Sequence, residues 1–262
     1  MRSLSIAATG MLAQQLNVEV ISNNIANVNT TSYKRQRAEF QDLLYQNQRR
    51  VGSSSSSNGT VVPTGIQLGL GVKAAGVYRI SAQGNLASTD NTLDVAVQGN
   101  GYFQVTLPNG DTAFTRAGSF QLSPTGTIVT AEGYNVLPGI TIPPDAVAVT
   151  INSGGDVLVH IDGQIAEQNV GTFDLANFAN PAGLQMIGGN LLLQTPASGQ
   201  PKTGAPGSTG FGTLLQGFLE TSNVNVVQEI TNLITAQRAY EMNSKVIEAS
   251  DQMMSQLNQI RA

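Results

Sequence analysis

The strongest constraint on this chain is a seven-residue apolar beat at both of its ends, with a glycine-rich stretch between them. Leu4, Met11, Val18 and Ile25 advance by sevens, and a weaker series, Ala7, Gln14, Ile21 and Val28, runs beside them. Residues seven apart share one side of a helix, so the spacing predicts a helix of roughly 25 residues, about 37 Å long. Asn23, Asn24, Asn27 and Asn29, followed by the β-branched Thr30 and Thr31, lower helix propensity and predict where it ends. Near the other end Val226, Leu233, Tyr240, Ile247 and Met254 keep the same beat, with Ala236, Asn243, Ser250 and Leu257 as complementary positions. No Gly or Pro interrupts residues 222–260, and Thr221 or Ser222 is placed to cap the start, which predicts a second helix of about 58 Å. The doublets Val226-Val227, Leu233-Ile234, Val246-Ile247 and Met253-Met254 make the stripe wider than a two-stranded seam needs. The pattern fits either a helix pair inside one globular fold or helices that require further neighbours.

The middle of the chain has a different period. Residues 93–97 alternate, and the runs 102–107 and 112–115 flank Pro108-Asn109-Gly110-Asp111, a strong hairpin turn. A second turn, Ser123-Pro124-Thr125-Gly126, precedes 127–130, and further short strands are predicted at 147–151, 157–161, 172–175 and 191–194. Residues 196–212, rich in Gly, Pro, Ser and Thr, read as a return linker, and residues 46–63, with five consecutive serines from Ser53, read as an exposed loop or a projecting ribbon.

Composition narrows the function. Only 11% of residues are charged, against about 25% in an ordinary domain, while Asn and Gln number 22 each. Such a polar, weakly charged surface suits a protein packed against copies of itself. Zero Cys excludes disulfides and thiolate chemistry, and a single histidine, His160, excludes a three-histidine zinc site. His160 falls on a strand surface by alternation, and Asp90, Asp94, Asp111, Asp156 and Asp162 flank strands or turns, where Asp is structurally expected. No catalytic residue, cofactor or metal site is expected. Residues 90–174 carry nine acids and one base, Arg116, which argues against nucleic acid. The start of the chain is broken by Gln14, Gln15, Asn17 and Glu19 and reads as neither a cleaved signal nor a membrane span.

Several phrases resemble the bacterial flagellar rod and hook axial proteins. Residues 21–34, running from Ile21 through Asn23-Asn24 and Ala26-Asn27 to Ser32-Tyr33-Lys34, resemble that family's N-terminal signature, with Ser32 where the usual pattern has Gly. Asp94 to Phe103 and Phe114 to Phe120 resemble its central phrases, and Glu220 to Val226 and Ala236 to Lys245 its C-terminal one. The resemblance implies an α+β chain. Its N- and C-terminal helices (1–31 and 222–262) would pair as a coiled-coil-like inner domain. An extended β-ribbon connecting segment (32–75) would carry a rod-specific ribbon at about 46–63, and an all-β domain (76–213) would be inserted between the ends. Length leaves little room for the additional outer domain of hook proteins, and residues 42–63 look like a distal rod insertion. The implied role is a structural subunit of the distal rod, a straight rigid tube that transmits torque; a proximal rod or hook subunit, a β-domain enzyme and an adhesin are the alternatives.

On that reading the polymerisation seams are Leu4, Met11, Val18, Ile21, Ile25, Val226, Leu233, Tyr240, Ile247 and Met254. The rigidity ribbon is carried by Tyr45, Gln46, Arg49, Arg50, Ser53, Ser57, Val62 and Pro63. The implied partners are further copies of the chain, proximal rod and hook proteins, the P-ring and L-ring bushings, the rod cap and the flagellar type III export apparatus. The implied place is the basal body, from the periplasm to the outer membrane.

Overall fold

A computed structural model of the chain describes residues 2–52, 64–164 and 166–261. By contacts these fall into two compact units, one drawn from 1–26, 36–79 and 225–262 and the other from 27–35 and 80–224. The architecture is α+β, a helix at each end of the chain and a large β-rich body between.

In the first unit, α1 (Arg2–Ala26) stops where the asparagines gather. α2 (Val226–Arg261) begins later than predicted. Thr221 does not cap it: the Thr221 hydroxyl donates to the Asn85 carbonyl at 3.0 Å. The cap is Asn225, whose Oδ1 accepts from the Gln228 amide at 3.2 Å while its carbonyl takes the Glu229 amide at 3.0 Å. The helices run antiparallel. Ser3 meets Ser250, their hydroxyls 3.3 Å apart. Gly10 lies under Asn243, where an added Cβ would come within 2.8 Å of Nδ2. Asn24 Nδ2 donates to Glu229 Oε2 at 3.1 Å. Each advance of seven or fourteen along α1 is matched by an equal retreat along α2, so the facing residues keep heptad register.

α1 also carries a two-stranded ribbon, Gln36–Asp42 paired antiparallel with Val72–Arg79. The Asn24 amide holds the Gln36 backbone at both ends, donating to its carbonyl and accepting from its N–H, each at 2.8 Å. Fifteen residues back along α1, Thr9 Oγ1 accepts from the Val72 N–H at 3.3 Å. Fifteen helical steps and seven strand steps both span about 22 Å, which is why a ribbon of this length fits along the helix. Side chains on Gln36–Asp42 alternate accordingly, Ala38 and Phe40 half-buried, Arg37, Glu39 and Gln41 exposed.

In the second unit the strand pairs are antiparallel. Its largest sheet, nine-stranded among the described residues, is built around Tyr102–Thr106. That strand is buried on both faces. Phe103 and Val105 enter one apolar cluster, where Phe103, Phe120 and Phe173 have ring centroids 5.0 to 6.0 Å apart. Tyr102 enters the other with Phe114 and Phe178, the latter two edge to face at 4.8 Å. The two predicted turns close as hairpins: Gly110 and Gly126 take φ of 88° and 78°, and the amide of each donates at 2.9 Å to a carbonyl three residues earlier. The predicted strand at 172–175 is instead the end of one strand, Gln168–Thr172, and the start of another, Leu175–Asn177. The stretch 196–212 is not a free linker. Lys202–Gly204 pairs with Leu175–Asn177, and Ser198 is fully buried by bonds to Thr195 and Gly199. Its polar composition serves these local bonds.

Candidate assembly surfaces

Mostly small and polar side chains are buried on the paired helices, with Val20 and Ile21 the larger apolar ones. Ala7, Ala13, Val20, Ile21 and Asn24 are buried on α1, and Glu229, Ala236 and Ser250 on α2. Ala7 and Ile21 belong to the weaker apolar series, and Ala236, Asn243 and Ser250 are the complementary positions of α2. Small residues let two helix axes approach closely, so the larger side chains are displaced to the flanks. Of the stronger series, Leu4, Met11, Val18, Ile25, Leu233, Ile247 and Met254 are half-buried, while Val226 and Tyr240 are exposed. Beyond them Leu12 (66%), Val227 (75%) and Met242 (67%) stand largely in solvent, with Ile230, Ile234, Val246 and Met253 also exposed. These exposed apolar side chains on both sides of the seam are the candidate interaction surface.

The ribbon presents a second open surface. Past Asp42 it continues as Tyr45–Arg49 paired with Ile66–Gly69, and Tyr45, Gln46, Arg49 and Arg50 are all exposed. Leu44, Ile66, Leu68 and Leu70 are exposed as well. Ser53, Ser57, Val62 and Pro63 lie outside the described residues.

The second unit holds a buried ion cluster that no local pattern announces. Glu220 is 1% exposed. One oxygen accepts from Lys34 Nζ and from the Gly84 N–H at 2.8 Å; the other accepts from Arg116 Nε at 2.6 Å. Arg116 also donates to the carbonyls of Gly101 (2.9 Å), Val97 (3.1 Å) and Gly99, and Lys34 to that of Ala82 (2.9 Å). Burial would raise the Glu220 carboxyl; the Arg116 charge, hydrogen bonds from Lys34 and Arg116 and the Lys34 charge outweigh it and hold the group below its ordinary range. Ser32 sits over this cluster at φ 57°, its N–H donating to the Glu220 carbonyl (2.7 Å) and its hydroxyl to that of Arg116 (2.9 Å). Lys34 and Arg116 lie 186 and 104 residues from Glu220, and their one sequence signal was membership of three family-like phrases, 21–34, 114–120 and 220–226.

Three of the strand- and turn-flanking carboxylates accept side-chain hydrogen bonds. Asp94 accepts from Thr89 and Asn91, Asp111 from Asn109, and Asp156 from Asn152 and Thr172. The bonds from Asn152 and Thr172 hold the Asp156 carboxyl below its ordinary value. His160 is exposed on its strand.

Three family models match the chain. The one described as flagella basal body rod protein covers residues 4–34, the flagellar hook protein FlgE/F/G D1 domain covers 96–159, and the flagellar basal body rod FlgEFG protein C-terminal covers 215–260. Lys34, Arg116 and Glu220 fall one in each. Together with the open helix flank, these matches define the class as flagellar axial subunits. The chain is 60% identical to the flagellar basal-body rod protein FlgG of Caulobacter vibrioides over the whole of both chains. It is 53% identical to that of Agrobacterium fabrum over 97% of each chain, and 46% identical to that of Borreliella burgdorferi over 100% of this chain and 99% of the other. The chain belongs to the FlgG family of flagellar basal-body rod proteins. It is a structural subunit of the rod, and not an enzyme.

Proposed function

We propose that this chain polymerises with itself into the straight, stiff distal rod that transmits torque from motor to hook. The observation that carries this is the apolar flank of α1 and α2, left open because the helices use their small residues for each other. In the polymer the two helices act as a coiled-coil-like inner domain, and the flank residues Leu4, Met11, Val18, Ile25, Val226, Leu233, Tyr240, Ile247 and Met254 are covered by neighbouring copies, with Ile21 holding the pair together. The connecting segment 32–75 lies outside the helices, and its ribbon at about 46–63 contacts adjacent copies and opposes the sliding that would let the tube bend. Proximal rod and hook proteins join the two ends of this tube, the P-ring and L-ring surround it, a rod cap attends its growth and the type III export apparatus delivers its subunits.

The test is a paired substitution on the flank. Ile234→Asp with Val246→Asp places two charges on exposed positions that the helix pair does not use. Polymerisation should be lost in electron micrographs while far-ultraviolet circular dichroism stays that of the parent. Normal tubes from the double variant would reject the flank as the assembly face.

A further inference from the structure

The β body is closed by its own last segment. Strand Val95–Gln98, with Val95 to Val97 almost inaccessible, pairs with Thr213–Gln216; Leu86–Ser88 pairs with Phe218–Glu220. Among the described residues neither early strand has another strand partner. The same segment reaches the three-stranded sheet. Gln216 Nε2 donates to the carbonyls of Val149 and Thr92, both at 2.8 Å, and its Oε1 accepts from the Ile151 N–H at 3.0 Å. Leu214 is 1% exposed in the main cluster and donates its N–H to the Ser153 carbonyl at 3.2 Å. The Gly212 and Gly217 amides donate to the carbonyls of Asn100 and Asp94, each at 2.7 Å.

We propose that residues 212–223 gate the folding of the β body, which stays open until they arrive, and that Glu220 is the group that closes it. A chain delivered from its N-terminus presents Lys34 and Arg116 first. Closing the body around Arg116 without Glu220 would bury its guanidinium, 9% exposed, without the carboxylate that Nε meets at 2.6 Å. It would also leave strand Val95–Gln98 without its pairing partner inside the core, although the Val95 N–H keeps its bond to the Gly118 carbonyl. Both penalties vanish when residues 213–220 dock, so closure waits for the return of the chain. Domains fold as units; here the unit is not complete until its last segment arrives, and an incomplete chain stays open, a useful property for a subunit that has to be threaded before it assembles.

Refolding kinetics of the full-length chain from urea test this. Glu220→Gln and Gln216→Ala should each slow refolding, about tenfold or more for Glu220→Gln, and should speed unfolding less than they slow refolding. Unfolding accelerated more than refolding is slowed would overturn the gate, because the body would then close before the return segment docks. Should a variant fail to fold, pulse-labelling hydrogen exchange on the parent chain decides. Amides of 103–105 should gain protection in the same phase as those of 214–215, and earlier protection at 103–105 would refute the proposal.

Discussion

Ser32 combines a left-handed backbone with a buried, doubly used side of the chain. A non-glycine residue at φ 57° carries a cost of about 1 kcal/mol or more, which glycine avoids. Its hydroxyl bond to the Arg116 carbonyl offsets part of that cost. Ser32→Ala keeps the cost and loses the bond; Ser32→Gly loses the bond and the cost together. The Gly variant should therefore be more stable than the Ala variant by about 1 kcal/mol in urea unfolding. Equal stabilities would contradict the role assigned to the backbone angle. Glu220 makes the residue scale pH-dependent. Its folded carboxyl titrates below the ordinary value of 4.5, so its contribution is full above that pH and is lost as pH falls through the lower, folded value. Glu220→Gln should cost about 3 kcal/mol at pH 7, where the cations lose their counter-charge. The gap between parent and variant should narrow below pH 4.5 in denaturant titrations, and a gap independent of pH would count against the ion cluster.

At the scale of elements, the helix pair is a register device more than a hydrophobic one. Gly10 admits Asn243, and Asn24 ties α1 both to Glu229 and to the ribbon. Gly10→Leu raises intrinsic helix propensity by about 1 kcal/mol, yet it should lower the thermal midpoint of the helices, with partial recovery on adding Asn243→Ala. A higher midpoint in the single variant would show that the helices do not meet there. Much at this scale was legible in the sequence. The seven-residue beat announced both helices, and Pro108 to Asp111 and Ser123 to Gly126 announced two hairpins, because helix period and turn chemistry are local. The face of each helix that turns inward was less so. The strongest apolar series drew attention, while the weaker series with Ala7, and the positions of Ala236 and Ser250, supply the contact because small side chains permit close approach. The cap at Asn225 escaped for a related reason. Asn223 and Thr221 have caps' chemistry, but their side chains are bound to residues 35, 80, 82 and 85.

For the whole molecule, what could not be read locally is what joins distant segments. Lys34, Arg116 and Glu220 are ordinary charges in three separate phrases until the fold buries them together. The pairing of Val95–Gln98 with Thr213–Gln216 is equally silent, since neither strand is near a turn that leads to the other. Open surface was legible in kind, as a stripe too wide for two helices, but not in extent. The same division separates what holds one copy together, the helix seam, the apolar clusters of the β body and the buried ion cluster, from what we propose holds copies to each other, the exposed apolar side chains of the helices. Hydroxyl-radical footprinting of the full-length chain, free and assembled, addresses that division most directly. Leu12, Tyr240, Met242 and Met253 should react readily in the free chain and become protected in the tube, while Tyr102 and Phe114 stay protected in both. Equal reactivity of the four flank residues in the two states would contradict it.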